Sequence, residues 1–107
     1  MTPKILLVSL FILLASCHEP TFSERYNQQW REPQGQEFIT IGRALVKNDI
    51  RVCGEYYVRK SSLDPGEYVV GCTPDGEKFE YFLVWTSTEK VTPIAATEID
   101  IAPEGSK

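Results

Sequence analysis

The sequence predicts a small single α+β domain, one N-terminal helix packed on a three-stranded antiparallel meander (αβββ) and stapled by a disulfide. Three observations predict it. A helical apolar period over 36–48 precedes three runs rich in Val, Tyr, Phe and Trp. Two Pro-Gly turn signals separate those runs, and Cys53 and Cys72 sit on the first two of them.

The helix rests on Phe38, Ile41 and Leu45, whose spacing of three and four places them on one face, with Gly42 and Ala44 between them. Asn48 is a suitable stop, while Ile39 and Val46 leave a strand reading open. The strands are read at 51–60, 67–73 and 77–87. Asp64-Pro65-Gly66 and Thr73-Pro74-Asp75-Gly76 punctuate them, each pairing a φ-setting proline with a glycine that tolerates positive φ.

A cross-strand disulfide would set Cys53 opposite Cys72, and hence Tyr56 opposite Val69 and Val58 opposite Glu67. A short turn at Pro74-Asp75-Gly76 then brings Gly71 beside Phe79 and Val69 beside Tyr81. One face gathers Val52, Tyr56, Val58, Val69, Phe79, Tyr81, Leu83 and Trp85, apolar on all three strands. The glycines leave space there for Phe79 or for a packed helix. The predicted Cys53–Cys72 bond closes a loop of about 20 residues, worth about 3 kcal/mol in the chain-entropy model.

The opposite face carries Tyr57, Tyr68 and Phe82, a larger aromatic patch than solubility favours. Two readings stay open: a partner-binding surface, or a face covered when the extended tail 91–107 folds back over it.

The chain has 107 residues and a net charge of −4, which becomes −5 once Lys4 leaves with residues 1–16. Basic residues are scattered among acids, which argues against nucleic-acid binding. A folded unit of about 60 to 70 residues is marginal on burial alone and benefits from a staple. The three cysteines leave one over after a Cys53–Cys72 bond, and that one is Cys17.

Cys17 ends an apolar segment. Lys4 is followed by an apolar run over 5–15 broken only by Ser9. As a helix the run spans about 16 Å, half a hydrocarbon core, which suits a signal-peptide core and not a membrane span. Leu14-Ala15-Ser16-Cys17 at its end resembles the lipobox of bacterial lipoproteins. The resemblance implies diacylglycerol on the Cys17 sulfur, cleavage before Cys17, and acylation of the new amine, commonly by palmitate. An ordinary secretory peptide would instead leave Cys17 as an unpaired thiol in an oxidising compartment. In proteobacterial lipoproteins Asp after the cysteine resembles an inner-membrane retention signal; His18 stands there instead, which favours the outer membrane facing the periplasm.

Residues 17–35 are polar, with Pro20, Pro33 and Gly35, and read as the lipidated N-terminus and a flexible tether reaching about 25 Å. Tyr26 and Trp30 are the exceptions, to be docked on the domain or placed at the membrane interface. The organisation is therefore signal peptide 1–16, tether 17–35, αβββ domain 36–90 and tail 91–107.

No catalytic constellation stands out. His18 is the only histidine and abuts the anchor, so Ser-His and Cys-His sites within the domain are ruled out, and a metal site would need carboxylates alone. Residues 71–76 are turn chemistry, without the Walker lysine or a following helix. On the expected register Glu55 and Glu80 share a face about 9 to 10 Å apart, a separation known in inverting glycosidases, but in a solvated row without a groove they read as surface carboxylates.

The expected function is thus non-catalytic and without cofactor: an envelope lipoprotein, bound to the bilayer through acylated Cys17, presenting a small domain to a protein partner. A periplasmic inhibitor or immunity protein is the alternative; some lysozyme inhibitors are similar in size and address. An accessory subunit of a secretion or conjugation apparatus is a further one. Intact-mass measurement of the membrane-fraction protein is expected to show loss of residues 1–16 together with added acyl mass; a full-length or unacylated chain would contradict this.

Overall fold

The computed structural model describes residues 19–100 and 102–103, so the expected signal peptide and Cys17 lie outside the described residues. Strand β2 (Glu67–Thr73) is buried at every position. It is flanked by β1 (Glu55–Lys60) and β3 (Glu80–Trp85), and β4 (Lys90–Ile94) completes an antiparallel sheet of order β1-β2-β3-β4. The fourth strand is drawn from the predicted tail. Pro93 lacks a donor and is accommodated because β4 is an edge strand. Helix α1 (Phe22–Arg25) precedes the main helix α2 (Gln36–Lys47), and a 3-10 turn covers Ala96–Glu98.

The turn chemistry is as the residues dictate. Gly66 has φ +80 and lies so close to Thr86 that a side chain there would meet Thr86 Oγ1 at 2.9 Å. Around Pro74, the Thr73 hydroxyl accepts from Gly76 N at 2.8 Å, and Asp75 Oδ1 accepts from Glu77 N at 2.9 Å and Lys78 N at 3.0 Å.

Helix α2 matches its predicted span, with Asn48 as C-cap returning its side-chain amide to Ala44 O at 2.8 Å. Ile41, Ala44 and Leu45 are its buried face. Phe38, expected on that face, is 59% exposed and stacks on Tyr56 at 5.7 Å.

The Cys53–Cys72 disulfide is present, with Cα atoms 4.5 Å apart. The register is not the one a cross-strand pair demands. Tyr56, not Cys53, lies opposite Cys72, and Val58 opposite Val70. Cys53 precedes β1, and Gly54 turns the chain across the end of β2, where an added Cβ would stand 3.4 Å from Thr73 O. The bond therefore staples the approach to the sheet onto β2 and does not bridge two paired strands.

A three-residue offset is odd, so it exchanges the two faces of β1. Tyr56 and Val58 join Tyr68, Val70 and Phe82, while Tyr57 and Arg59 join Val69, Tyr81 and Leu83. The β2–β3 pairing is offset by two, Gly71 meeting Tyr81, which leaves those faces as expected. Helix α2 covers the face of Val58, Tyr68, Val70, Cys72, Phe82 and Val84, which together with Ile41, Ala44 and Leu45 form the main core. The expected helix-packing face is the other one.

Replacing Cys53 and Cys72 together by alanine is expected to cost about 3 kcal/mol of unfolding free energy, measured by urea denaturation with and without reductant. An unchanged midpoint would show that the staple adds nothing to the packed sheet.

Candidate functional site

The aromatic trio expected as a partner surface is divided by the register. Tyr68 is 6% and Phe82 7% exposed, both beneath α2 in the core. Tyr57 alone lies on the opposite face, half-buried, with its ring 6.0 Å from Phe79. The candidate carboxylates separate likewise: Glu55 pairs with Thr73 and Glu80 with Cys72, so they occupy opposite faces.

What covers the face opposite α2 is chiefly the segment expected as a tether. Thr21 caps α1 in a capping box with Glu24, accepting from Glu24 N at 3.2 Å. Tyr26, 2% exposed, sends its hydroxyl to Glu67. Arg31 then runs antiparallel to β1, exchanging backbone bonds with Val58 at 3.1 and 2.8 Å. Within the expected tether, residues 21–35 make these contacts with the sheet. Polar composition was misleading here because a few contacts, Tyr26 and Arg25 with Glu67 and the Arg31 backbone with Val58, dock a segment whose polar side chains are mostly exposed.

Two buried charges do the fastening. Glu67, 5% exposed, accepts from Tyr26, from Trp85 Nε1 at 2.9 Å and from Arg25 Nη1 at 3.4 Å. Its several donors replace the water that a buried carboxylate loses. Arg59, 4% exposed, donates through Nε to Gln28 O at 2.7 Å and through Nη1 to Asp100 at 2.5 Å, and stacks over Trp30 at 5.6 Å. Arg59 thus binds the N-terminal segment and the C-terminal tail to one strand. Pro103 is buried beside Gly71, where an added Cβ would stand 3.3 Å from the proline ring. The tail does cover part of this face, although the face carries different residues from those expected.

A third polar knot joins the same segment to the helix. Arg31 grips Glu37 through two bonds of 2.7 and 2.9 Å, and Tyr68 donates to Glu37 at 3.0 Å. Arg31, first among the causes, holds the Glu37 carboxyl at about 2. Burial, followed by the bond to Glu37, pushes the Tyr68 phenol up to about 12.

Between this docked segment and β1 lies an open groove of about 770 Å³, lined by Asn27, Gln28, Gln29, Trp30, Arg31, Glu32, Tyr57, Arg59 and Ala102. A second lobe of about 340 Å³ shares Glu32 and Tyr57 with it and adds Phe38, Glu55 and Tyr56. The aromatics continue behind it, Trp30 lying 5.9 Å from Tyr81 and Tyr81 6.3 Å from Phe79. Its aromatic surfaces and rim of amides and opposed charges suit an extended, mixed polar and apolar ligand. Among the described residues no group of three or more His, Cys, Asp or Glu is placed to hold a metal ion.

Sequence reasoning missed Arg59 and Glu67 as organising residues, while of the two places open to Trp30 the structure shows it docked against Arg59 and Tyr81. The available signal was two large aromatics, Tyr26 and Trp30, in an otherwise polar stretch.

Because the folded-state pKa of Glu37 is lowered from 4.5 to about 2, its contribution is present above about pH 4.5 and is lost as pH falls through about 2. Glu37→Gln is expected to lose less stability than the parent chain between about pH 6 and about pH 2.5, read as urea midpoints. Parallel losses would place the acid sensitivity elsewhere.

Comparison with protein-family models, with curated proteins and with solved structures finds no match to this chain.

Proposed function

We propose that this chain is a lipid-anchored, non-catalytic binding protein of the bacterial cell envelope, which presents the groove beside β1 to a protein partner. The anchor reading is supported by Leu14-Ala15-Ser16-Cys17 at the end of an apolar run. Among the described residues no helix is long and apolar enough to cross a membrane; in this reading the attachment is the acylated Cys17. No cofactor enters this reading.

The observation that carries the binding role is the groove itself. Its wall, residues 27–32, belongs to the segment that continues directly from the anchor, and Arg59 holds that wall to the sheet through Gln28. A binding surface built on a segment fastened to the sheet loses little entropy on engagement. Trp30, Tyr57 and Arg31 are residue types enriched at the centres of protein interfaces.

A photo-crosslinking side chain at Gln29, exposed on the groove wall, tests this against one at Arg43, exposed on helix α2. In living cells the Gln29 probe is expected to give a discrete adduct that the Arg43 probe does not. Equal adducts at both positions, or none at Gln29, would remove the groove as the binding surface.

A further inference from the structure

We propose that the sheet end formed by turns 61–66 and 86–89 lies against the lipid headgroups, with Leu63 as the side chain that meets them. The inference rests on the reading of Cys17 as acylated and adds to it an orientation and a contact surface. It begins with chain length. The capping box puts the start of the fastened body at Thr21, four residues after Cys17, and four residues reach at most about 14 Å. The headgroup layer is itself several ångströms deep, about 5 to 8 Å on each side of the core. Little free chain is left to lift the domain away.

The body that starts at Thr21 is strapped to one end of the sheet. Ser62 N donates to Arg25 O at 2.8 Å, the Ser62 hydroxyl donates to Glu24 O at 3.0 Å, and Arg25 pairs with Asp64 at 2.8 Å. Turn 86–89 lies at the same end, because Trp85 pairs with Glu67 and Thr86 N donates to Gly66 O at 2.8 Å. The opposite end, with the turn at Pro74, is a strand length away, roughly 20 Å.

The surface chemistry of this end suits a lipid interface. Arg25 is paired with Asp64, and Lys47 with Glu89 at 3.0 Å, while Lys90 stands over the Trp85 ring at 5.5 Å. Leu63, the neighbour of Ser62 in the turn strapped to α1, is an apolar side chain 53% exposed. On a chain of net charge −4, a locally balanced end avoids repulsion from anionic lipids.

The test uses the mature protein from the membrane fraction, isotopically labelled, its acyl mass measured first, in vesicles of phosphatidylethanolamine and phosphatidylglycerol carrying a gadolinium-chelating headgroup lipid. Amide signals of 61–66 and 86–89 are expected to broaden at least three-fold more than those of 75–77. Leu63→Asp is expected to halve the broadening at Ser62 and Asp64 without change in acyl mass. A chain lacking acyl mass overturns the anchor and this inference together. An acylated chain with uniform or reversed broadening overturns the orientation alone, and a Leu63→Asp variant that broadens like the parent overturns the role of Leu63.

Discussion

Glu67 is the interaction on which the arrangement depends. A carboxylate buried at the first position of β2 is tolerable only where donors surround it. Here those donors come from separate parts of the chain: Tyr26 and Arg25 from the N-terminal segment and Trp85 from β3. Meeting the needs of one acid therefore requires that the segment before the main helix be docked while the sheet is formed. Arg59 repeats the logic one strand away, with Gln28 on one side and Asp100 on the other. Among the described residues no buried side-chain nitrogen or oxygen lacks a partner, so these charges act as fasteners and not as stored strain.

The two faces of the sheet are stabilised by different physics. Under α2 the contact is apolar, with Ile41, Ala44 and Leu45 against Val58, Val70 and Val84, and burial of these side chains provides the main driving force. On the other face the cover is made of short irregular pieces, in which Tyr26 and Pro103 are the buried side chains. There ion pairs, hydrogen bonds and ring contacts hold Trp30 on Arg59 and Tyr81 and Tyr57 on Phe79, while Tyr81, Phe79 and Pro103 fill the space left at Gly71. The groove exists because this cover is incomplete along β1.

Docking of residues 21–35 changes what an anchor on Cys17 would do. A flexible tether leaves a domain free to rotate and search, whereas a fastened one sets its height and tilt. On the proposed anchoring, the groove wall at 27–32 and Cys17 belong to one stretch of chain, so a partner in the groove would be held at a defined distance from the bilayer. The disulfide strengthens the end of the sheet remote from α1, joining Cys53, which precedes the last β1–β2 pair, to Cys72 within β2.

The sequence by itself determined the local features. The 3.6-residue period set α2, proline and glycine set the turns at 64–66 and 73–76, and two cysteines in one small domain set the staple. These follow from short-range sterics and from covalent chemistry, which need no knowledge of neighbours. Only the tertiary structure decided the register of β1 on β2, because Gly54 lets Cys53 reach Cys72 from outside the ladder and the alternation of β1 is apolar on both faces: Tyr56 and Val58 on one, Tyr57 on the other. With both faces able to be buried, periodicity could not choose between them, and the division of the predicted aromatic trio followed. The tail and the tether were likewise settled in three dimensions. Val91 and Ile94 became strand only by pairing with β3, and a polar segment became part of the body because Glu67 and Arg59 supplied partners that no local pattern in the chain announces.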